Sequence, residues 1–208
     1  MPSTTISPAR LVGFCDGIFA IAITLLVFNL RIPHLSSTSD GRLFQAIVDM
    51  VPNFVTYILS FLLIAVFWFI HHHMFNHIQR VDNVFIWLNV FYLLGVSFLP
   101  FPSSLLGAYS DETFPLIFYI CSMSYVGFML LAMWGYASHR HRLIENNLPR
   151  TTIRYYFLRG IASQLVFLLT IILTLIHLDW GKHFLFILIP VQALLQGIYR
   201  KTVAEKKS

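Results

Sequence analysis

Three groups of residues in this chain are of types that could do chemistry. The first is Asp16, in the run Arg10-Leu11-Val12-Gly13-Phe14-Cys15-Asp16-Gly17, followed by fourteen residues, Gly17 to Leu30, that carry no charge. An ionised side chain within a bilayer costs at least ~2.5 kcal/mol at a helix centre, so it faces a bundle interior or a water-filled path. Two readings stay open: a carboxylate near the headgroups pairing with Arg10, about one and a half turns earlier, or a group on an ion path. The second group is His71-His72-His73-Met74-Phe75-Asn76-His77. His73 and His77 have the i, i+4 spacing at which helical imidazoles share a metal. No cysteine or carboxylate nearby completes a set of ligands, Asp82 being the nearest, so the expectation is a polar belt at a helix end and no metal. The third group is Arg80, Asp82, Asn83, Trp87 and Asn89. Trp87 offers one indole donor and Asn89 both a donor and an acceptor. A buried network joining Asp16, His77, Trp87 and Asn89 would satisfy the carboxylate and fix how the first three helices pack.

Catalysis has little support. No GxSxG, HExxH, CxxC or phosphate-cradling glycine loop occurs, and the chain is not expected to be an enzyme. Cys15 and Cys121 lie in separate apolar segments and give no disulfide framework. Both read as small packing residues.

The elements that must position these groups follow from composition. Of 208 residues, 57% are hydrophobic and 11% charged, whereas about a quarter of residues are charged in soluble domains. Apolar runs long enough to span a bilayer must satisfy their own backbone hydrogen bonds, and continuous runs do so as helices. The chain is therefore an all-α integral membrane protein forming one domain, residues 1–208. Six spans are expected: Leu11 to Leu30, Val51 to Ile70, Val84 to Leu99, Phe114 to Ala137, Ile161 to Ile176 and Phe184 to Ile198. The last is short and contains Pro190. No small-x-small cleavage site follows Leu30, so the first run is a span and not a signal peptide. Pro100-Phe101-Pro102-Ser103-Ser104 is expected to break the chain between spans three and four. The connection Arg31 to Met50 contains a polar turn, Ser36 to Gly41, and tryptophans and tyrosines near span ends form an interfacial belt. The first and last three spans share no motif, which weakens a transporter built from inverted repeats.

With the amino terminus inside, eleven of the fourteen lysines and arginines fall on the cytoplasmic side, and only Arg31, Arg42 and Lys182 outside. That split supports both termini in the cytoplasm. The net charge of +5 is then a topology signal and does not call for nucleic acid.

On the first span, Ala20, Ile23, Val27 and Leu30 fall within one arc of about 80°, onto which Asp16 also projects. If that face lines an axis, an acidic entrance leads to an aliphatic constriction. Plain packing in a bundle explains the same periodicity.

Arg10-x-x-x-Phe14-Cys15-Asp16, followed by Gly-Ile-Phe-Ala-Ile-Ala-Ile-Thr-Leu-Leu-Val, closely resembles the RxxxFSD first-helix motif of the lysosomal/endosomal potassium channel family (transmembrane protein 175 type) and its bacterial members. Cys15 stands where that motif has serine. The six spans, the histidine-rich end of span two and the Asn/Trp-bearing span three fit as well. The resemblance implies a homotetramer in the plasma membrane of a bacterium, each chain lending its first helix to a central pore. Animal members carry two six-helix units per chain and dimerise. The TVGYG selectivity loop of other potassium channels is absent here, in keeping with the family. Carried over, the pore constriction maps onto Ile23, Val27 and Leu30, Thr24 is a candidate for ion coordination, and Arg10, Phe14 and Asp16 hold a polar network below. The resemblance implies no cofactor, with potassium and other monovalent cations as the permeant species and the lipid bilayer as the surroundings. An aliphatic ring has no oxygens to replace a hydration shell, so only modest preference for potassium over sodium is expected. A proton- or ion-coupled secondary transporter using Asp16 and His77 is the competing expectation.

Overall fold

The structure is a computed structural model, and it describes residues 7–31 and 39–176. The sixth expected span, Phe184 to Ile198, lies outside them. The described residues form helices α1 (Pro8–Leu25, continued by a 3-10 turn over Leu26–Asn29), α2 (Asp40–Asp49), α3 (Val51–Phe75), α4 (Asn83–Phe98), α5 (Pro100–Ala108), α6 (Thr113–Ser138) and α7 (Arg150–Leu175). Five segments are long and apolar enough to cross a membrane: Pro8–Asn29, Val51–Phe75, Asn83–Ala108, Thr113–His141 and Arg150–Leu175.

Local chemistry sets where these helices start. The Ser7 hydroxyl accepts from the Arg10 N–H, and Pro8 takes the first helical position, where its missing donor costs nothing. Asp82 caps α4 through the Phe85 N–H at 2.9 Å.

Three expectations need correction. Pro100 and Pro102 do not end the third span. The helix does break there, α4 stopping at Phe98 and α5 opening at Pro100, where no backbone donor is required, but Leu99 keeps helical dihedrals (φ −54°, ψ −32°) and the span runs on to Ala108. The segment between the first two spans is not only a turn, because Ser39 caps the amphipathic helix α2. Finally, α7 begins at Arg150 rather than Ile161, which places Arg154 and Arg159 on a helix below the apolar run.

Helix α6 packs against α4, α5 and α7, while α1 packs on α3 and α4. The core is continuous through Phe19, Ile64, Tyr92, Tyr119, Met123 and Met133. A Cβ on Gly95 would stand 2.7 Å from the Tyr125 ring and 2.9 Å from Val126, so the glycine permits the close approach of α4 to α6. Ser60 ties three helices together, sharing hydrogen bonds with Ser103 at 2.8 Å and Tyr119 at 3.0 Å.

At the end where α1 begins, the α3–α4 and α6–α7 loops clasp one another. The Gln79 N–H donates to the Leu143 carbonyl at 2.9 Å, and Ile78 and Ile144 form an antiparallel bridge. Arg80 donates to the Arg142 carbonyl at 2.9 Å, while Tyr136 and Arg142 donate to Asp82 at 2.7 and 3.2 Å. Partial burial opposes ionisation of Asp82, but the Phe85 N–H, the Tyr136 hydroxyl and the Arg142 guanidinium outweigh it. They hold its carboxyl below the ordinary carboxylate range.

Candidate functional site

The first helix is positioned by polar contacts at both of its ends. At the lower end, Asn89 of α4 is fully buried. Its Nδ2 donates to Cys15 Sγ at 3.2 Å, while its Oδ1 lies 3.6 Å from Cys15 Sγ and 3.0 Å from His71 Nε2. The His71 ring stacks on Tyr92, with centroids 5.2 Å apart and planes 2° from parallel. The Tyr92 hydroxyl in turn donates to the Phe67 carbonyl at 3.3 Å. One turn away, Asp16 Oδ1 accepts the indole N–H of Trp68 at 2.8 Å. At the upper end, Asn29 Nδ2 donates to the Pro100 carbonyl at 3.2 Å. These bonds, with Leu11, Cys15, Phe19, Ala22 and Leu26 buried at helical spacing, fix the rotation of α1 about its axis.

The network therefore differs in membership from the one expected. Asn89 holds a buried polar contact to α3 and Asp16 an exposed one, but His77 and Trp87 join neither. Trp87 is 62% exposed, because two residues of a helix separate it from Asn89 by about 200°. His77 lies beyond the end of α3 and packs on the rings of Tyr156 at 5.7 Å and Trp134 at 6.3 Å. Burial lowers its pKa from 6.5, Glu145 pulling the other way and His73 adding to the fall. His71 and Trp68 take the places given to His77 and Trp87. Their spacing with Ile64 and Phe75 on α3 was the available signal. Arg10 and Phe14 are exposed, and among the described residues no ion pair joins Arg10 to Asp16. Cys15 is buried as expected, whereas Cys121 is exposed on α6 and does not fill the core.

Among the described residues, the rest of α1 has one exposed flank. Ala20 and Val27 are exposed, Val27 by 49%, while Asp16, Ile23 and Leu30 are half-buried at the edge of the packed face. The single α-helical arc holds only as far as Leu25. From Leu26 the backbone tightens to 3-10 winding, and Leu30 ends it with non-helical dihedrals (φ −87°, ψ 77°). The Thr24 hydroxyl donates within its own helix, 2.9 Å from both the Ala20 and Ile21 carbonyls, and the residue is exposed.

The segment that carries this arrangement also carries the likeness to known proteins. Residues 10–100, from α1 to the start of α5, match the model of the endosomal/lysosomal potassium channel TMEM175. A Streptomyces collinus protein named potassium channel B446_29190 is 30% identical over 166 residues, covering 78% of this chain and 80% of that one. The chain belongs to the TMEM175 family. A second relative, named potassium channel Cha6605_3372, of Chamaesiphon minutus, is 37% identical over 100 residues, 48% of this chain and 49% of its own length. The crystal structure of a lysosomal potassium-selective channel TMEM175 homologue from Chamaesiphon minutus superposes with a TM-score of 0.79 at 25% identity. It covers 90% of this chain and 96% of that one. The all-helical architecture is thus that of a TMEM175 channel. Membership places the chain among multi-pass ion channels and not among enzymes.

Proposed function

We propose that this chain is a bacterial plasma-membrane potassium channel, a homotetramer whose four α1 helices line a central pore. The single observation that carries the reading is the state of α1. Both ends are pinned to α3, α4 and α5, yet among the described residues the flank bearing Ala20 and Val27 is left exposed. Four copies related by closed cyclic symmetry would enclose one axial path along such a flank. Ile23, Val27 and Leu30 would then narrow it, and rings of aliphatic side chains gate by dewetting. The names of the relatives support potassium as the permeant ion. Both termini face the cytoplasm on this reading, with a sixth span completing the bundle, which the split of basic residues supports.

Selectivity has to come from elsewhere than the aliphatic ring. Thr24 and the carbonyls of the 3-10 turn supply oxygens, and Asp16 supplies a cation-concentrating charge, so the preference for potassium over sodium is modest. Arg10 and Phe14, exposed in one chain, belong to the contacts between subunits around this entrance. A coupled transporter is not favoured. Its two coupling groups, Asp16 and His77, bond and pack in separate places, one on Trp68 and the other on Tyr156 and Trp134.

Reconstituted into liposomes, the full chain is expected to discharge a potassium gradient without a coupled ion, and a sodium gradient more slowly. A flux that requires a proton gradient would point to the transporter instead.

A further inference from the structure

At the end of the molecule opposite the loop clasp, α2 presents an apolar face that the rest of the described chain covers only at one edge. At 100° per residue, Leu43, Phe44, Ile47 and Val48 fall within an arc of about 140°, and Arg42, Gln45 and Asp49 fall within about 60° on the other side. All four apolar residues are exposed among the described residues, Phe44 by 70%. Ala46 and Met50, at one edge of the arc, are buried and seat α2 beside α3. On the polar side, Gln45 donates to Asp49 at 2.9 Å.

Where α2 stands decides what covers this face. Met50, between α2 and α3, has a non-helical ψ of 1°, so the chain turns there. From Val51 the apolar run to Ile70 rises about 30 Å, which matches the hydrocarbon core of a bilayer. α2 therefore starts where that core ends, at the headgroup boundary. The exposed apolar residues also continue down α3 as Val51, Val55, Ile58 and Leu62, one stripe at helical spacing on a helix that crosses the membrane. Charge does not explain the position. Asp40, Arg42 and Asp49 give α2 no excess of positive charge, so attraction to anionic headgroups does not hold it. A helix with a wide apolar face and a polar back, at this depth, buries that face among the acyl chains.

We propose that α2 is an interfacial helix lying in the leaflet opposite the loop clasp, with Phe44 and Val48 among the upper acyl chains and Gln45 and Asp49 toward the water. Its partner is the acyl boundary of the bilayer, whatever the headgroup charge, and it ties the near end of α3 to the membrane surface. The placement requires only that the chain spans a membrane.

The test uses the full chain in liposomes, carrying one nitroxide on Phe44→Cys, Val48→Cys or Gln45→Cys in a Cys121→Ala background, where Cys15 is buried. Power saturation against oxygen and a water-soluble nickel chelate reads the surroundings of each label. Phe44 and Val48 are expected ~5–10 Å below the headgroup boundary, with an oxygen-to-nickel collision ratio several-fold above that at Gln45. Their depth is expected to be the same in phosphatidylcholine alone and with phosphatidylglycerol added. Ready access of nickel to Phe44 and Val48 overturns the proposal, because the face would then stand in water. Poor access of both reagents overturns it in favour of protein, either a second copy or another segment of this chain. A depth reached only with phosphatidylglycerol overturns it too, since charge and not apolar burial would then hold the helix.

Discussion

Removing the Asn89 amide strands two buried groups at once, because both Cys15 and His71 bond to it. Asn89→Ala is therefore expected to cost about 1–3 kcal/mol, the penalty of a buried polar group left without its partner, seen as a lower unfolding midpoint in detergent. Cys15→Ser puts a stronger donor and acceptor at the same place and is expected to hold or raise that midpoint; a clear fall would contradict the geometry. His77 gives a pH signature. Burial holds its folded pKa below the unfolded value of 6.5, so the unfolded chain binds the proton more readily. Stability is then fully present above pH 6.5 and declines as pH falls from there toward the folded pKa. His77→Gln should flatten that decline, which thermal unfolding from pH 8 to pH 5 measures.

The helices carry their own tests. Gly95→Ala forces a methyl against the Tyr125 ring, which cannot swing freely because its hydroxyl donates to the Phe91 carbonyl at 3.2 Å. Overpacking of this kind costs about 1–3 kcal/mol, again read from the unfolding midpoint. The loop clasp should fail in acid. Asp82 has a depressed folded pKa, so its contribution is present above the ordinary carboxylate value of about 3.9 and is lost as pH falls through the lower folded value. The stability gap between wild type and Asp82→Asn should close over that window. What the sequence made legible was the number of apolar spans within the described residues, since runs such as Val51 to Ile70 have no other solution in a bilayer. It did not show that Leu99 stays helical ahead of Pro100, since a proline at the first position of a new helix and one that ends a helix look alike. The 3-10 turn at Leu26–Asn29 was equally hidden, because apolar spacing does not distinguish a last α-helical turn from a tighter one.

As a whole molecule, the chain hides only 28% of the apolar window of its first span, against 50% for the span at its centre, Thr113–His141. Lipid would accept that surface, so exposure alone does not choose between a lipid face and a pore. The motif around Asp16 favours a pore, and the Trp68 indole ties Asp16 to α3; on the function proposed above the path lies higher, at Ile23, Val27 and Leu30. On this account four copies assemble, and a polar side chain at the constriction eases wetting: Ile23→Asn or Leu30→Ser should raise conductance several-fold in single-channel recordings. The most direct measurement is reagent access to the proposed axis. In a Cys121→Ala background, where Cys15 is buried, a Val27→Cys channel recorded in a planar bilayer is treated with a charged thiosulfonate. Loss of the potassium current on modification is the predicted result. A current that persists unchanged in channels whose introduced thiol is shown to be modified would contradict a pore lined by α1.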